Sequence, residues 1–263
     1  MKVRVAVGVP HLGNLPGYFV DSLLTMKMPE GWNLIRVQDK PIDTARNLIA
    51  KTFMANPEYT HLFFMDSDMK FHPQTLKRLL AHNLPIVSGL YFARTDTPLP
   101  HLYTFARIDE NGQALYESHC SDYAEWVKAN PQQSDFPNAQ CFDPDPAALI
   151  KVDTVGFGCV LIERKVFEAI EYPYFEADPE TGGAEDFDFC EKARAAGFEI
   201  YGDMTVQADH ETRLGFIGRE EFVACWSIGT EDEADFDRPV HVEITAWGQR
   251  RIRPQRRNTI KVS

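Results

Sequence analysis

Short apolar strands alternate with amphipathic helices through the first ninety residues, which predicts an α/β fold: a mixed, mainly parallel sheet flanked by helices. Two further observations agree. The chain has 263 residues, 44% of them hydrophobic, enough for one large domain with a sizeable core. The most apolar strand, His61–Met65, stops abruptly at Asp66-Ser67-Asp68, and the carboxyl edge of a parallel sheet is where such folds bind ligands.

The elements follow in order. Val3 to Val9 is β-branched and apolar and reads as a buried strand ended by Pro10. His11 to Gly17 is a loop, and Tyr18–Met26 sets Phe19, Leu23 and Met26 at helical spacing. Leu34–Val37 is a second strand. Asp43 can cap a helix running through Ile49 and Phe53 to the break at Asn56-Pro57. After the third strand, Pro73 suits the first turn of a helix through Leu80, and Ile86–Leu90 is the fourth strand. Asn111-Gly112 then predicts a hairpin joining residues 101–105 to 113–117. Residues 119–147, rich in proline, aspartate and glutamine, read as a surface excursion. Strands are expected at Ile150–Thr154, Cys159–Ile162 and Phe198–Tyr201. Helices are expected at Arg164–Ile170 and at Asp186–Ala196, the latter capped by Gly197. Residues 216–263 read as a C-terminal extension ending in a basic arm.

Charge excludes some functions. With 27 basic and 39 acidic residues the formal net charge is -12, which argues against a general nucleic-acid binder. The balance is uneven, because Arg250, Arg251, Arg253, Arg256, Arg257 and Lys261 crowd the tail; such a tail can touch an anionic surface. Five cysteines without C-x-x-C spacing fit reduced thiols. No segment offers the ~20 apolar residues of a membrane span, so a cytoplasmic location without a transmembrane segment is expected.

The chemistry starts at Asp66 and Asp68. Side chains at i and i+2 of an extended segment point the same way, so both carboxylates can converge on one hard cation; an acidic loop with a helix cap is the plainer alternative. Upstream stand Ala45-Arg46-Asn47 and Tyr59. Downstream come Gly156-Phe157-Gly158, an apolar strand and a helix, then Gly183-Ala184-Glu185-Asp186-Phe187-Asp188-Phe189-Cys190, Ala196-Gly197-Phe198 and finally His210. This order of motifs, over residues 3 to about 212, resembles the GT-A-fold glycosyltransferases, in particular the family-two-like inverting enzymes. The pattern departs from the family where Asp39 and Asp43 closely precede Arg46, which abbreviates the base-recognition wall, and in the segment from 95 to 147.

The resemblance implies a GT-A-like, Rossmann-type domain over residues 1–215, with an insert at about 95–147, followed by the 216–263 extension. It implies a nucleotide-diphosphate-sugar donor, a hydroxyl acceptor (glycan, lipid-linked, protein or modified nucleic acid) and Mn²⁺ or Mg²⁺ as cofactor. Asp66, Asp68 and His210 would hold the metal, and Pro10, Arg46, Asn47, Asp66 and Ser67 would meet the donor. Asp186 would be the base of an inverting displacement, with Glu185 bonding the acceptor. A divalent ion across both phosphates stabilises the charge that develops as the sugar C1 bond breaks. A retaining enzyme of the same fold and a non-catalytic nucleotide- or sugar-binding module stay open. A nucleotidyltransferase is disfavoured, because His11–Gly17 contains no lysine or arginine.

Overall fold

The computed structural model describes residues 2–94, 98–110, 112, 114–130, 140–177, 184–212, 215–227, 242–245 and 250–252; from residue 224 onward it describes backbone alone. The first half alternates as the hydrophobic pattern demands: β1 (Val5–His11), α1 (Gly17–Thr25), β2 (Asn33–Gln38), α2 (Ile42–Ala55), β3 (His61–Met65), β4 (Met69–Phe71), α3 (Thr75–Ala81) and β5 (Ile86–Leu90). There follow β6 (Leu102–Ile108), β7 (Ala114–Ser118), α4 (Cys120–Ala129), β8 (Leu149–Val152), β9 (Thr154–Val155) and β10 (Cys159–Glu163). The remainder comprises α5 (Arg164–Ala169), α6 (Glu185–Ala195), β11 (Ile200–Thr212), β12 (Gly215–Ile217), α7 (Arg219–Ser227), β13 (Val242–Thr245) and β14 (Arg250–Ile252).

The central sheet runs β12-β11-β5-β10-β3-β1-β2, with β4 and β8 both attached to β11. β1 is parallel to β2 and β3, and β11 is parallel to β5, but β10 enters antiparallel between β3 and β5. The expected class is therefore found, a mixed and mainly parallel sheet flanked by helices. The antiparallel strand has a positional consequence. The carboxyl ends of β1, β2, β3 and β5 lie along one edge, and the turn that starts β10, Gly156-Phe157-Gly158, arrives at that same edge.

Alternate residues of each strand feed opposite layers of the core. Val5, Val7, Val9, Phe63 and Met65 pack with Phe19 of α1 and Leu76 of α3. Ala6, Leu62 and Phe64 pack with Ile49 and Phe53 of α2, Phe167 of α5 and Phe189 of α6. Gly8 lets α2 lie directly on β1, since a Cβ there would stand 2.6 Å from Ile49 Cγ2.

Several expectations need correction. α2 starts at Ile42 after Pro41, so Asp43 lies in its first turn and does not cap it. The strand expected at 198–201 is the start of the thirteen-residue β11. The stretch from 119 is not wholly a surface excursion: α4 buries Tyr123 and Trp126, and Tyr123 packs against Phe92 and against Phe222 of α7. Within the C-terminal extension, Arg250 and Arg251 of the basic end lie in a strand. β12 pairs with β11, and β13 and β14 extend a second sheet in the order β14-β13-β7-β6-β9. The hairpin β6–β7 turns through Gly112 at φ +79°; Asn111 and the arm from Arg253 to Lys261 lie outside the described residues.

Cys120, Cys141, Cys159 and Cys190 are free thiols. Among the described residues no helix is long and apolar enough to cross a membrane.

Gly8→Ala should overpack the β1–α2 contact, because Ile49 is β-branched and fully buried. The expected cost is about 1–3 kcal/mol, a fall in Tm of roughly 3–10 °C in a melting experiment. An unchanged melt would mean that Ile49 relaxes freely.

Candidate functional site

A cavity of about 990 Å³ opens along the carboxyl edge of the sheet, at the upper end of the 300–1,000 Å³ usual for ligand pockets. One wall comes from the end of β1 (Pro10, His11) and the turn after β2 (Asp39, Lys40, Pro41). Arg46, the 66–68 turn and Phe157 form its middle. Tyr91, Arg94 and His101, with His210 and Glu211, form a second wall, and Glu185 and Asp186 complete it.

Arg46 ties these parts together. Its side chain is buried, and its guanidinium lies over the rings of Phe64 and Phe157 at 5.4 and 5.5 Å. Nε donates to Glu185 Oε1 at 3.0 Å, Nη2 meets both Asp66 oxygens at 3.2 and 3.3 Å, and Nη1 donates to the Phe157 carbonyl at 3.4 Å. Burial opposes the charge on Arg46, but Asp66 and Glu185 hold it protonated. Burial raises the Asp66 carboxyl; Arg46 counters, while Asp68 and Glu185 add to the rise, and the outcome lies above its ordinary value. Arg46, expected to reach the donor, thus meets protein carboxylates.

Asn47 does not line the cavity. Its Nδ2 donates to the Phe175 carbonyl at 2.6 Å, and its Oδ1 accepts from the Tyr174 and Phe175 amides. This loop carries Phe175 onto the ring of Phe189 in α6, 4.8 Å away, so Asn47 positions the Glu185-Asp186 helix instead of touching a ligand.

Asp68 and His210 are neighbours although 142 positions separate them. β4, directly after the acidic turn, pairs with β11 so that Met69 faces His210, and the Glu211 amide donates to the Asp68 carbonyl at 2.8 Å. His210 Nδ1 lies 2.9 Å from the Phe92 carbonyl. A carbonyl only accepts, so Nδ1 carries the proton and the lone pair of a neutral ring sits on Nε2. Nε2 faces Asp68 Oδ2 at 3.4 Å: a proton on Nε2 bridges the two atoms, and without it the same two atoms can share a cation. Burial works to raise the Asp68 carboxyl, yet His210 and Arg94, whose Nη1 is 2.9 Å away, hold it below its ordinary value.

The donor set suits a divalent ion in a limited way. Among the described residues no three His, Cys, Asp or Glu side chains are grouped to hold a metal; Asp68 and His210 converge, while Asp66 turns to Arg46. Two protein ligands are enough for a Mg²⁺-like ion that takes substrate phosphates and waters for the rest. The carbonyl behind Nδ1 is the usual partner of a ligating histidine.

Tyr91 braces this wall. It stacks on His101 at 4.5 Å, meets the edge of His210 at 5.7 Å and accepts from the Gly158 amide at 3.1 Å. A Cβ on Gly156 would stand 2.0 Å from the Tyr91 hydroxyl, which is why glycine is required there. Burial, then His210 and Arg94 nearby, push His101 down to about 3, so its ring is neutral.

Glu185 and Asp186 open α6, where the helix dipole favours negative charge. Asp186 is half-buried on the cavity wall and accepts from the Phe187 amide. Burial lifts its carboxyl well above the usual range; Glu185 adds to this and Arg46 opposes it. Asp188 turns away to Lys192, 2.8 Å distant. Pro10, Arg46, Asp66, Ser67, Asp68, Glu185, Asp186 and His210 all line one cavity. Tyr91, Arg94 and His101 were missed. The signal for the first two was their place just after β5, the same edge rule that singles out Asp66 and Asp68.

No protein-family model matches the chain, and no curated protein matches it. Among solved structures, the crystal structure of A197 from STIV is similar over 97% of this chain and 95% of that chain, at 15% identity and a TM-score of 0.50. That likeness speaks for a shared fold alone.

Arg46→Met should destabilise the protein by about 3–5 kcal/mol, because it leaves the Asp66 and Glu185 carboxylates without their buried partner. Burial already raises the Asp66 carboxyl, and losing the guanidinium removes what counters that rise, so its folded-state pKa stands further above the unfolded one. That carboxyl then favours the folded state at low pH and loses the contribution as pH rises. Chemical denaturation across pH should therefore show the deficit shrinking on acidification; a pH-independent deficit would point to lost packing alone.

Proposed function

We propose that the protein is a metal-dependent glycosyltransferase of the GT-A kind. It would move a sugar from a nucleotide-diphosphate donor to an acceptor hydroxyl with inversion. The observation that carries this reading is the cavity itself: Asp68 and His210 converge there, Glu185 and Asp186 line it too, and Arg46 joins Glu185 to Asp66 of the same acidic turn. The motif order in the sequence supports it. Free and largely buried thiols fit a cytoplasmic setting. The acceptor class, whether glycan, lipid-linked, protein or modified nucleic acid, is left to experiment.

Asp68 and His210 would hold Mn²⁺ or Mg²⁺, which when bound neutralises the departing diphosphate. Pro10, Pro41 and Asp39, around the ends of β1 and β2, offer a wall for the base, with Ser67 beside the diphosphate. Asp186 would take the proton from the acceptor hydroxyl as that oxygen attacks C1 from the face opposite the diphosphate. A raised pKa makes Asp186 a stronger base once deprotonated. Glu185, fixed by Arg46, orients the acceptor.

Asp68→Ala should abolish Mn²⁺-dependent affinity for the donor nucleotide while leaving the melt unchanged, because this turn carboxylate adds little to the core. Calorimetry with and without Mn²⁺ reads the effect, and an equal Mn²⁺ dependence in the variant would remove Asp68 from the metal site.

Asp186→Asn should leave donor affinity unchanged and cut transfer by about 10²–10⁴-fold, as for loss of a general base. A base works deprotonated, so the parent's transfer rate should climb with pH through a value above the ordinary carboxylate's ~3.9. A screen of nucleotide sugars for hydrolysis and transfer supplies the assay. Full activity in Asp186→Asn would favour a retaining course, and nucleotide binding without any turnover would favour a binding module.

A further inference from the structure

A nucleotide diphosphate brings two to three negative charges into a cavity that is already acidic. Six carboxylates line it against three cations, Lys40, Arg46 and Arg94. Arg46 is committed to Asp66 and Glu185. Lys40 stands on the turn after β2, on the wall formed by β1 and β2. Arg94 is different: its guanidinium is 2.9 Å from Asp68, and its side chain is 52% exposed, so it can turn without breaking core contacts.

The backbone at its base is fixed. Phe92 and Pro100 form a β-bridge, the Ala93 amide donates to the Leu99 carbonyl, and the His101 amide donates to the Tyr91 carbonyl. Arg94 therefore projects from a closed loop stem beside the 66–68 turn, and only its side chain has to move.

We propose that Arg94 is the diphosphate-binding cation of this cavity, resting on Asp68 until a nucleotide diphosphate draws its guanidinium onto the phosphate oxygens. The inference rests on the nucleotide-diphosphate reading above and assigns the role that the sequence suggested for Arg46. A guanidinium fork matches phosphate oxygens, and such charge-assisted pairs are stronger than neutral ones. The same movement frees Asp68 Oδ2, the oxygen that His210 also faces, so phosphate capture and exposure of the cation ligand become one event.

The test compares the parent with Arg94→Gln and Arg94→Lys, using UDP, GDP, ADP, CDP and their nucleosides in the presence of Mn²⁺. Calorimetry measures the diphosphates and ligand-observed NMR the nucleosides. Arg94→Gln should weaken the bound diphosphate by about 10–100-fold and leave the matching nucleoside unchanged. Arg94→Lys should lie between, because lysine brings charge without the fork. Equal diphosphate affinity in Arg94→Gln and parent overturns the assignment. So does an equal loss for diphosphate and nucleoside, which would mean that Arg94 shapes the cavity. If the parent binds none of the diphosphates, the glycosyltransferase reading falls and this inference with it, an outcome visible before any variant is made.

Discussion

The site depends on one buried cation. Arg46 sits on α2, yet its guanidinium meets the 66–68 turn, the turn before β10 and the start of α6. Taking such a charge out of water costs several kcal/mol unless its partners are well placed. Two carboxylates, a carbonyl and two aromatic faces meet that condition, and in doing so fix the spacing between the Asp68 side and the Asp186 side of the cavity. The constraint also divides labour within Asp-Ser-Asp. Asp66 answers the internal cation, which leaves Asp68 as the carboxylate turned toward His210 and Arg94.

Asn47, the next residue on α2, works toward the same end by a different force. Its amide satisfies three backbone groups of the 174–175 segment, and that segment packs on α6 through Phe175 and Phe189. The helix that begins with Glu185 is thus held at its mouth by charge and along its side by hydrogen bonding and ring contact. Arg46 shapes the site from within its lining, and Asn47 from behind it.

Much of the fold was legible because continuous apolar runs report burial directly, as along β1 and β3. The direction of β10 was not legible, since an apolar run such as Cys159–Ile162 says that a strand is buried on both faces and nothing about which way it runs. The acidic turn, Glu185-Asp186 and His210 were found from residue type and order. The partner of Arg46 could not be, because an arginine on a helix reads the same whether it meets a phosphate or a carboxylate 139 positions away. Tyr91 and Arg94 lie beyond a strand end without a carboxylate to mark them. α4 was hidden because its polar composition masked two large aromatics, Tyr123 and Trp126, on a single face.

The strand order also sets when the site can exist during synthesis. β2, β1 and β3 neighbour one another and can pair as soon as they leave the ribosome. β5 cannot join them, because both its neighbours, β10 and β11, lie 69 or more residues further along the chain. The nascent chain therefore carries β5 with both edges unpaired, an invitation to misassociation that chaperones are suited to mask. Asp68 acquires its histidine only when β11 docks, so a ribosome-bound chain short of residue 210 presents the acidic turn without the imidazole that faces it. Contacts of such long sequence separation also slow folding, and binding competence arrives with one of the last strands to be made.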